Sequence, residues 1–364
     1  VTVFAVVTGG GTAGHVFPAM AVADSLVATG RKRAAIHYVG TERGVETTLV
    51  PPTGYPHTLL DVVGLQRTLT WRNVAFAPKM LAATARARRL LLRLDPRVVV
   101  SVGGYGAMPT VFAARLLHIP IVVVSYDRRP GRANALAARF AAACAVAFPG
   151  SSLPRAEMTG APVRQAVLDV DRAAGRDAAR RALGLPTDRF VVTVTGGSLG
   201  SAAINAAVAG YVAAHRDDVG LAVRHVVGRR FIAGVALGDG STGVLYQVLA
   251  FDEELALSYA ATDMFVGRGG ASTVAEVAAA GVPAVLVPWS GAADDHQTAN
   301  VRWLADQGAA VQLAEDELAR IGDVIEQLRA DGDRRRTLEQ RARRAGEVHR
   351  SGALPALIER VALP

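Results

Sequence analysis

A single cysteine in 364 residues, Cys144, excludes an internal disulfide and argues against a thiolate metal cluster. Lysine is almost as scarce: Lys32 and Lys79 are the only two among 40 basic residues, so the net charge of +8 is carried by arginine. Aromatic residues make up 5% of the chain, and nothing resembles an aromatic RNA-binding motif or a zinc module, so no nucleic-acid partner is expected. No run of about 18 apolar residues lacks a charge, and no membrane-spanning helix is expected. Val1 already leads into a strand, leaving no room in this sequence for a signal peptide, and a reducing cytoplasm is the expected compartment.

What is present is a globular composition, 51% apolar and 20% charged, in a chain long enough for two domains. The arginine excess suits an anionic partner such as a phosphorylated substrate or an acidic lipid surface, although a GC-rich genome also favours Arg and Ala.

Strand-like runs alternate with helix-period segments throughout, the pattern of an α/β fold with parallel sheets. In the first half the expected strands are residues 3–8, 35–39, 98–102, 119–124 and 145–148. In the second they are 190–195, 222–227, 244–248, 264–266, 284–287 and 309–313. Cys144 sits in an Ala-rich run read as helical. Gly160 to Arg164, GAPVR, punctuates the chain, giving expected domains 1–163 and 164–340. Each is doubly wound, with ligands at the carboxyl ends of its strands and in the cleft where the two sheets face each other.

Four stretches carry the chemistry. The first, FAVVTGGGTAGHVFPAM, enters Gly9 to Gly11 from a strand, with a helix expected from near Pro18. Glycines admit a bound group close to backbone N–H donors, and a helix N-terminus there attracts negative charge. His15 reads either as a general base for a hydroxyl or as a helix-capping residue. The second, SVGGYGAMP, repeats the strand–glycine pattern, with Gly103, Gly104 and the Tyr105 hydroxyl. The third, TGGSLGSAAIN, places Gly196, Gly197, Ser198, Gly200 and Ser201 before a helix as a diphosphate cradle. The fourth runs from Asp263 to Asn300. Arg268 and the glycines around it precede a helix that Ser272 and Thr273 are expected to cap. Glu276 follows as a candidate for ribose hydroxyls, and Asp294, Asp295, His296, Gln297 and Asn300 fill a later loop.

Val62 to Leu94 has no acidic residue but seven basic ones, interleaved with Trp71, Phe76 and leucines. For Leu65 to Met80, around a break at Pro78, contact with an anionic membrane surface is weighed against a solvated helix. For Ala82 to Leu94 the expectation is a helix packed on its own sheet.

In this order the motifs resemble the MurG family of bacterial glycosyltransferases, within glycosyltransferase family 28. The resemblance rests on GGGTAGHVFP, GGYGAMP, GGSLGSAAIN, RGGASTVAEVAAAGVPAVLVP and DDHQTAN. It implies the GT-B fold and inverting transfer of N-acetylglucosamine from UDP-GlcNAc to lipid I, a polyprenyl diphosphate, forming lipid II for peptidoglycan. Such an enzyme is peripheral on the cytoplasmic face of the membrane, and here segment 65–80 would make the contact. The resemblance assigns Thr12, Gly14, Arg164, Gly197, Ser198, Thr273, Glu276 and Gln297 to the donor. Gly103, Gly104, Tyr105 and Asn134 fall on the acceptor side, and His15 assists the acceptor hydroxyl. Residues 341–364 would form a C-terminal helix returning to the first domain. No metal or other cofactor is expected, since helix N-termini and hydroxyl donors can stabilise the departing diphosphate.

One segment departs from the family. Where the family has His-Glu-Gln-Asn, this chain has Val124, Ser125, Tyr126 and Asp127, with Asp127 a candidate for the Asn role or for the base. That change leaves room for a related glycosyltransferase acting on another lipid or a secondary metabolite. A UDP-GlcNAc 2-epimerase, which shares the two-domain fold, and a silent UDP-binding protein are weighed beside it. A nicotinamide oxidoreductase is disfavoured by the lack of a proper glycine fingerprint.

Overall fold

The structure, a computed structural model, describes residues 3–11, 13–62, 76–197, 199–233, 238–239, 243–292 and 295–363. Thr12, Ser198, Asp294 and residues 63–75, the larger part of the expected membrane segment, lie outside them. Contacts divide the chain into Val1–Gln165 with Ser351–Pro364, and Ala166–Arg350.

In the first unit the β-branched runs form β1 (Ala5–Thr8), β2 (Ile36–Thr41), β3 (His57–Leu60), β4 (Val98–Ser101), β5 (Ile121–Ser125), β6 (Ala143–Val146) and β7 (Ala156–Met158). They pair in parallel in the order β3-β2-β1-β4-β5-β6-β7. Chain order reverses between β1 and β4, which makes their carboxyl ends the switch point where doubly wound sheets take ligands. Two departures from expectation stand out. Cys144 lies on β6, buried and paired with Ala156, because its Ala-rich surroundings fill a strand covered on both faces. Strands β3 and β7 lie at the two edges and carry too few apolar residues for their alternation to be read.

Helix Phe76–Leu94 buries Ala83, Ala87, Leu90 and Leu91 on the sheet at helical spacing. Pro78 is not a break: it falls in the first turn of this helix, where its missing N–H has no intrahelical partner to lose. The opposite face holds helix Ala13–Ala28 and, from the end of the chain, helix Ala353–Ala362. Val16, Ala19, Met20, Ala23 and Leu26 are buried where these elements meet. Arg31 pairs with Glu359 at 3.1 Å, tying the end of the first helix to the last.

The second unit repeats the plan with β8 (Phe190–Thr195), β9 (Leu221–Val226), β10 (Gly238–Asp239), β11 (Leu245–Leu249), β12 (Met264–Arg268), β13 (Ala284–Val287) and β14 (Val311–Gln312). Their order is β10-β11-β9-β8-β12-β13-β14, parallel except for the β10–β11 pair. The switch point lies between β8 and β12. Arg180, wholly buried, reaches Asp263 at 2.7 Å and the Ala261 carbonyl at 2.8 Å, fixing helix Arg172–Ala182 to the sheet.

The chain's end is divided between the units. Helix Gly332–Arg350 buries only Leu338, Ala342, Gly346 and His349, a narrow stripe that fits a single helix, and it packs on Ala271–Ala280. Gly346 permits the approach, since a Cβ there would lie 2.3 Å from the Ala278 carbonyl oxygen. Arg350 donates to the Ala279 carbonyl at 3.0 Å, satisfying the end of that helix. Residues 341–350 therefore belong to the second unit rather than returning to the first. Helix Ala353–Ala362 is apolar enough to cover a sheet, burying Leu354, Leu357 and Ile358.

Leu357→Ala should therefore destabilise the first unit, although it lies beyond the second in sequence. The expected loss is about 2–5 kcal/mol by urea titration, with faster hydrogen exchange in β4–β6 and none in β8–β13.

Candidate active site

At the first switch point, the turns after β1 and β4 touch through bare backbone. Gly104 has φ +82°, and a Cβ on it would lie 2.3 Å from the Gly10 carbonyl oxygen. Gly103 has φ +99° and abuts Asn134, whose Oδ1 would be 2.8 Å from an added Cβ. Asn134 donates from Nδ2 to the Val124 carbonyl at 3.3 Å, while its Oδ1 is buried with no hydrogen-bond partner in the protein. Tyr105 is 42% exposed beside them.

Below the Gly9–Gly11 turn lies a group that motif reading missed. Glu46 is completely buried, and its Oε1 accepts from the Gly11 N–H at 2.8 Å, the Thr41 N–H at 3.2 Å and the Thr41 hydroxyl at 2.9 Å. Tyr38, also buried, donates its hydroxyl to the Gly9 carbonyl. The Gly11 donor expected to meet an anionic ligand is thus occupied from within. Glu46 is one of two glutamates in the run TERGVE and carries no sequence signal of this; only the chain's path after β2 does.

The helix after the turn begins at Ala13, not near Pro18. A proline at 18 cannot donate to the Gly14 carbonyl, the partner an ordinary residue would use. The Tyr126 hydroxyl makes that bond instead, at 2.6 Å. Tyr126 is 6% exposed, and burial, assisted by Asp127, pushes its phenol well above its usual range. The His15 ring meets the Tyr126 ring edge-on, with centroids 6.5 Å apart and planes at 64°. Burial lowers the His15 pKa below the ordinary 6.5, more than the negative charges of Asp127 and Glu46 raise it. Burial thus favours the neutral imidazole of His15. Arg164 lies with its guanidinium carbon 5.9 Å from the Phe17 ring centroid, two residues along the same helix from His15. The structure thus gathers Gly14, His15, Gly103, Gly104, Asp127 and Asn134 on one end of the first sheet.

In the second unit the glycine turn after β8 packs not on the turn after β12 but on the end of β9. Gly200 has φ +73° and a Cβ there would lie 2.3 Å from the Val227 carbonyl oxygen, so the turn after β8 lies directly on β9. Gly197 has φ +83° and open space around its Cα. Ser201 caps helix Ala202–Ala214, accepting from the Ile204 N–H, and also accepts from Arg268 at 2.7 Å. Arg268 pairs in turn with Glu315. Burial alone would raise the Glu315 carboxyl, but hydrogen bonds from Ser290 and Arg268 outweigh it and hold the pKa low. Asn205 donates to the Val227 carbonyl at 2.9 Å and is held by buried His225 at 3.1 Å.

Helix Ala271–Ala280 has Gly270 at its N-cap, so Ser272 and Thr273 do not cap it but lie half-buried in its first turn. Glu276 is 8% exposed and accepts from the Tyr259 hydroxyl at 3.1 Å. Gln297, at the start of helix His296–Ala305, accepts at Oε1 from the Trp289 N–H at 3.0 Å. Its backbone carbonyl closes on Gly269, where a Cβ would be 3.0 Å away. Gly197, Thr273, Glu276 and Gln297 belong to the second unit, Gly14 and Arg164 to the first.

Residues 5–146 match the glycosyltransferase family 28 N-terminal domain, and residues 191–354 match the family's C-terminal domain. The chain is 40% identical over 309 residues to a protein of Clavibacter michiganensis subsp. michiganensis, covering 84% of this chain and 82% of that one. That protein is named a UDP-N-acetylglucosamine–N-acetylmuramyl-(pentapeptide) pyrophosphoryl-undecaprenol N-acetylglucosamine transferase.

The chain belongs to glycosyltransferase family 28.

A protein of Nitrosococcus oceani with the same name is 38% identical over 357 residues, covering 96% of each chain. The crystal structure of Acinetobacter baumannii MurG superposes with a TM-score of 0.71 at 28% identity, covering 99% of both chains. The two doubly wound units are those of a GT-B glycosyltransferase, as the sequence motifs implied.

The Tyr126 bond is open to a thermodynamic cycle. Tyr126→Phe should cost about 1 kcal/mol by leaving the Gly14 carbonyl unpartnered. In a Pro18→Ala background, where residue 18 regains its N–H, the same change should cost measurably less in urea titrations.

Proposed function

We propose that this family-28 chain transfers N-acetylglucosamine from UDP-GlcNAc to lipid I, inverting the anomeric centre and releasing UDP. The observation that carries the reading is identity near 40% to transferases of that name over most of the chain, beside glycine turns at the strand ends of both units.

The second unit would hold the donor. Backbone N–H groups at the turn after β8 and at the helix start beyond Gly270 attract the diphosphate. Arg268 contributes little net charge, being neutralised by Glu315. Gly197, Ser198 and Thr273 face the phosphates in this reading, Glu276 the ribose, and the Gln297 amide N–H groups the sugar hydroxyls. Arg164, Thr12 and Gly14, which the resemblance assigns to the donor, belong to the first unit. Gly103, Gly104, Tyr105 and Asn134 receive the acceptor.

His15 then takes the proton of the acceptor hydroxyl as its oxygen bonds to the anomeric carbon and the bond to the UDP oxygen breaks. A base must be neutral to act, and burial keeps His15 so. Asp127, half-buried beside it, stabilises the imidazolium that forms. Helix N-termini and hydroxyl donors stabilise the departing UDP without a metal.

Acceptor-dependent UDP release is the test. Labelled UDP-GlcNAc with a short-chain lipid I analogue should release UDP only when both are present, with or without EDTA. Turnover of UDP-GlcNAc to ManNAc without acceptor, or binding with no turnover, overturns the reading. His15→Ala should cut turnover about 100-fold or more. Because protonation inactivates the base, activity should fall with acid only below pH 6.5, the ordinary histidine value.

The membrane contact is part of this proposal. No helix among the described residues is long and apolar enough to cross a membrane. Leu81, Leu92 and Leu116 are 71%, 55% and 62% exposed on two helices that pack together, among the exposed Arg86, Arg88, Arg89 and Arg115. Together with segment 65–80 they would supply the apolar and cationic groups that suit anionic lipid. In liposome flotation the protein should rise with anionic vesicles and not with neutral ones.

A further inference from the structure

A buried carboxylate that the reaction does not visibly need lies under the turn that carries His15. The chain clears space for Glu46 on three sides. A Cβ at Gly10 would lie 2.1 Å from its Oε1, one at Gly44 would lie 1.7 Å from its Oε2, and one at Gly40 would lie 3.1 Å from its Cγ. Burying a carboxylate is costly, and only Oε1 recovers that cost, through the N–H groups of Gly11 and Thr41 and the Thr41 hydroxyl. Its Oε2 is buried with no hydrogen-bond partner in the protein. An amide or an apolar residue would fill the space without stranding a charged oxygen.

We propose that Glu46 is a positioning residue for glycosyl transfer. Through the Gly11 N–H it sets the height of the glycine turn and the direction in which the following helix starts. Through its negative charge it steadies the His15 imidazolium formed when the acceptor proton is taken. This rests on the reading of His15 as the acceptor-side base.

The geometry separates the two roles. Gly11 lies four residues before His15, and the Tyr38 hydroxyl fixes Gly9 on the other side of Gly10, so the turn is held from below at two points. The Tyr126 bond to Gly14 holds the helix start from the opposite side. Among the described residues, the charges of Asp127 and Glu46 each make protonation of His15 easier, and the neutral Tyr126 ring meets it edge-on. Glu46 also acts on Tyr38, whose phenol burial already keeps protonated.

Glu46→Gln keeps an oxygen for Gly11 and Thr41 but removes the charge. It should lower kcat about 3–10-fold and shift the acid limb of the pH–kcat profile to lower pH, because His15 loses a group that raises its pKa. Glu46→Ala removes the anchor as well and should lower kcat about 30–100-fold, with KM for UDP-GlcNAc changing less than about twofold. A carboxylate that serves folding alone would leave the acid limb where it is. An unmoved limb with wild-type kcat in the Gln variant overturns the proposal. Should the Ala variant fail to fold, the Gln profile decides, with the imidazole titration of His15 by NMR as its direct check. The underlying reading is tested in parallel. Loss of turnover in His15→Ala with retention in folded Glu46 variants overturns the positioning role alone, whereas retained turnover in His15→Ala overturns the base assignment and with it this proposal.

Discussion

Close approach of bare backbone at the ends of the central strands is the constraint on which the molecule depends. In each unit two central parallel strands run in the same direction and send their chains to opposite sides, so their turns must lie side by side. At the first switch point Gly104, after β4, rests on the Gly10 carbonyl, after β1. In the second unit the close approach falls beside the switch point, where Gly200, after β8, rests on the Val227 carbonyl that follows the neighbouring β9. Each carbonyl oxygen lies 2.3 Å from where a Cβ would stand. No side chain fits. The glycines are there first because the sheet demands them, and the N–H groups they expose follow from that geometry.

The two switch points differ in what lies behind the turn. In the second unit the positive group, Arg268, is paired with Glu315 and held by the Ser201 cap, so the cradle keeps backbone donors at its helix starts for an anion. In the first, a carboxylate lies behind the glycines and takes the Gly11 N–H. Negative charge under a turn disfavours a phosphate there and favours a group that gains positive charge. A histidine accepting a proton is such a group, which is what the proposed role of His15 requires. His15 is pulled both ways: burial keeps it neutral at rest, while Asp127 and Glu46 lessen the cost of its protonation.

The segment Val124 to Asp127, where the chain departs from the family pattern, has a physical role of its own. Pro18 strips the Gly14 carbonyl of its helical partner, and the Tyr126 hydroxyl reaches across to replace it. Ser125 ends β5 with its hydroxyl buried. In this chain Tyr126 holds the helix that bears His15, and Asp127 is the charged group that acts on the imidazole.

Local sequence determined the α/β plan, most of the central strands, the glycine turns and the donor-side helix, because alternation, apolar runs and glycine spacing are short-range properties of the chain. The whole-chain order of the motifs determined the family. Edge strands β3 and β7 were not legible, since an edge buries too little to impose a pattern. Cys144 read as helical because alanine suits a helix, and only burial on both faces makes it a strand residue. The N-cap at Gly270, in place of the hydroxyls beside it, depended on backbone angles that composition does not carry. Tertiary structure alone decided that helix Gly332–Arg350 stays on the second unit, that Tyr126 repairs the proline, and that Glu46 lies under the first glycine turn. Each joins residues far apart in the chain through one hydrogen bond or one packed face, and such partners exist only once the sheets have brought them together.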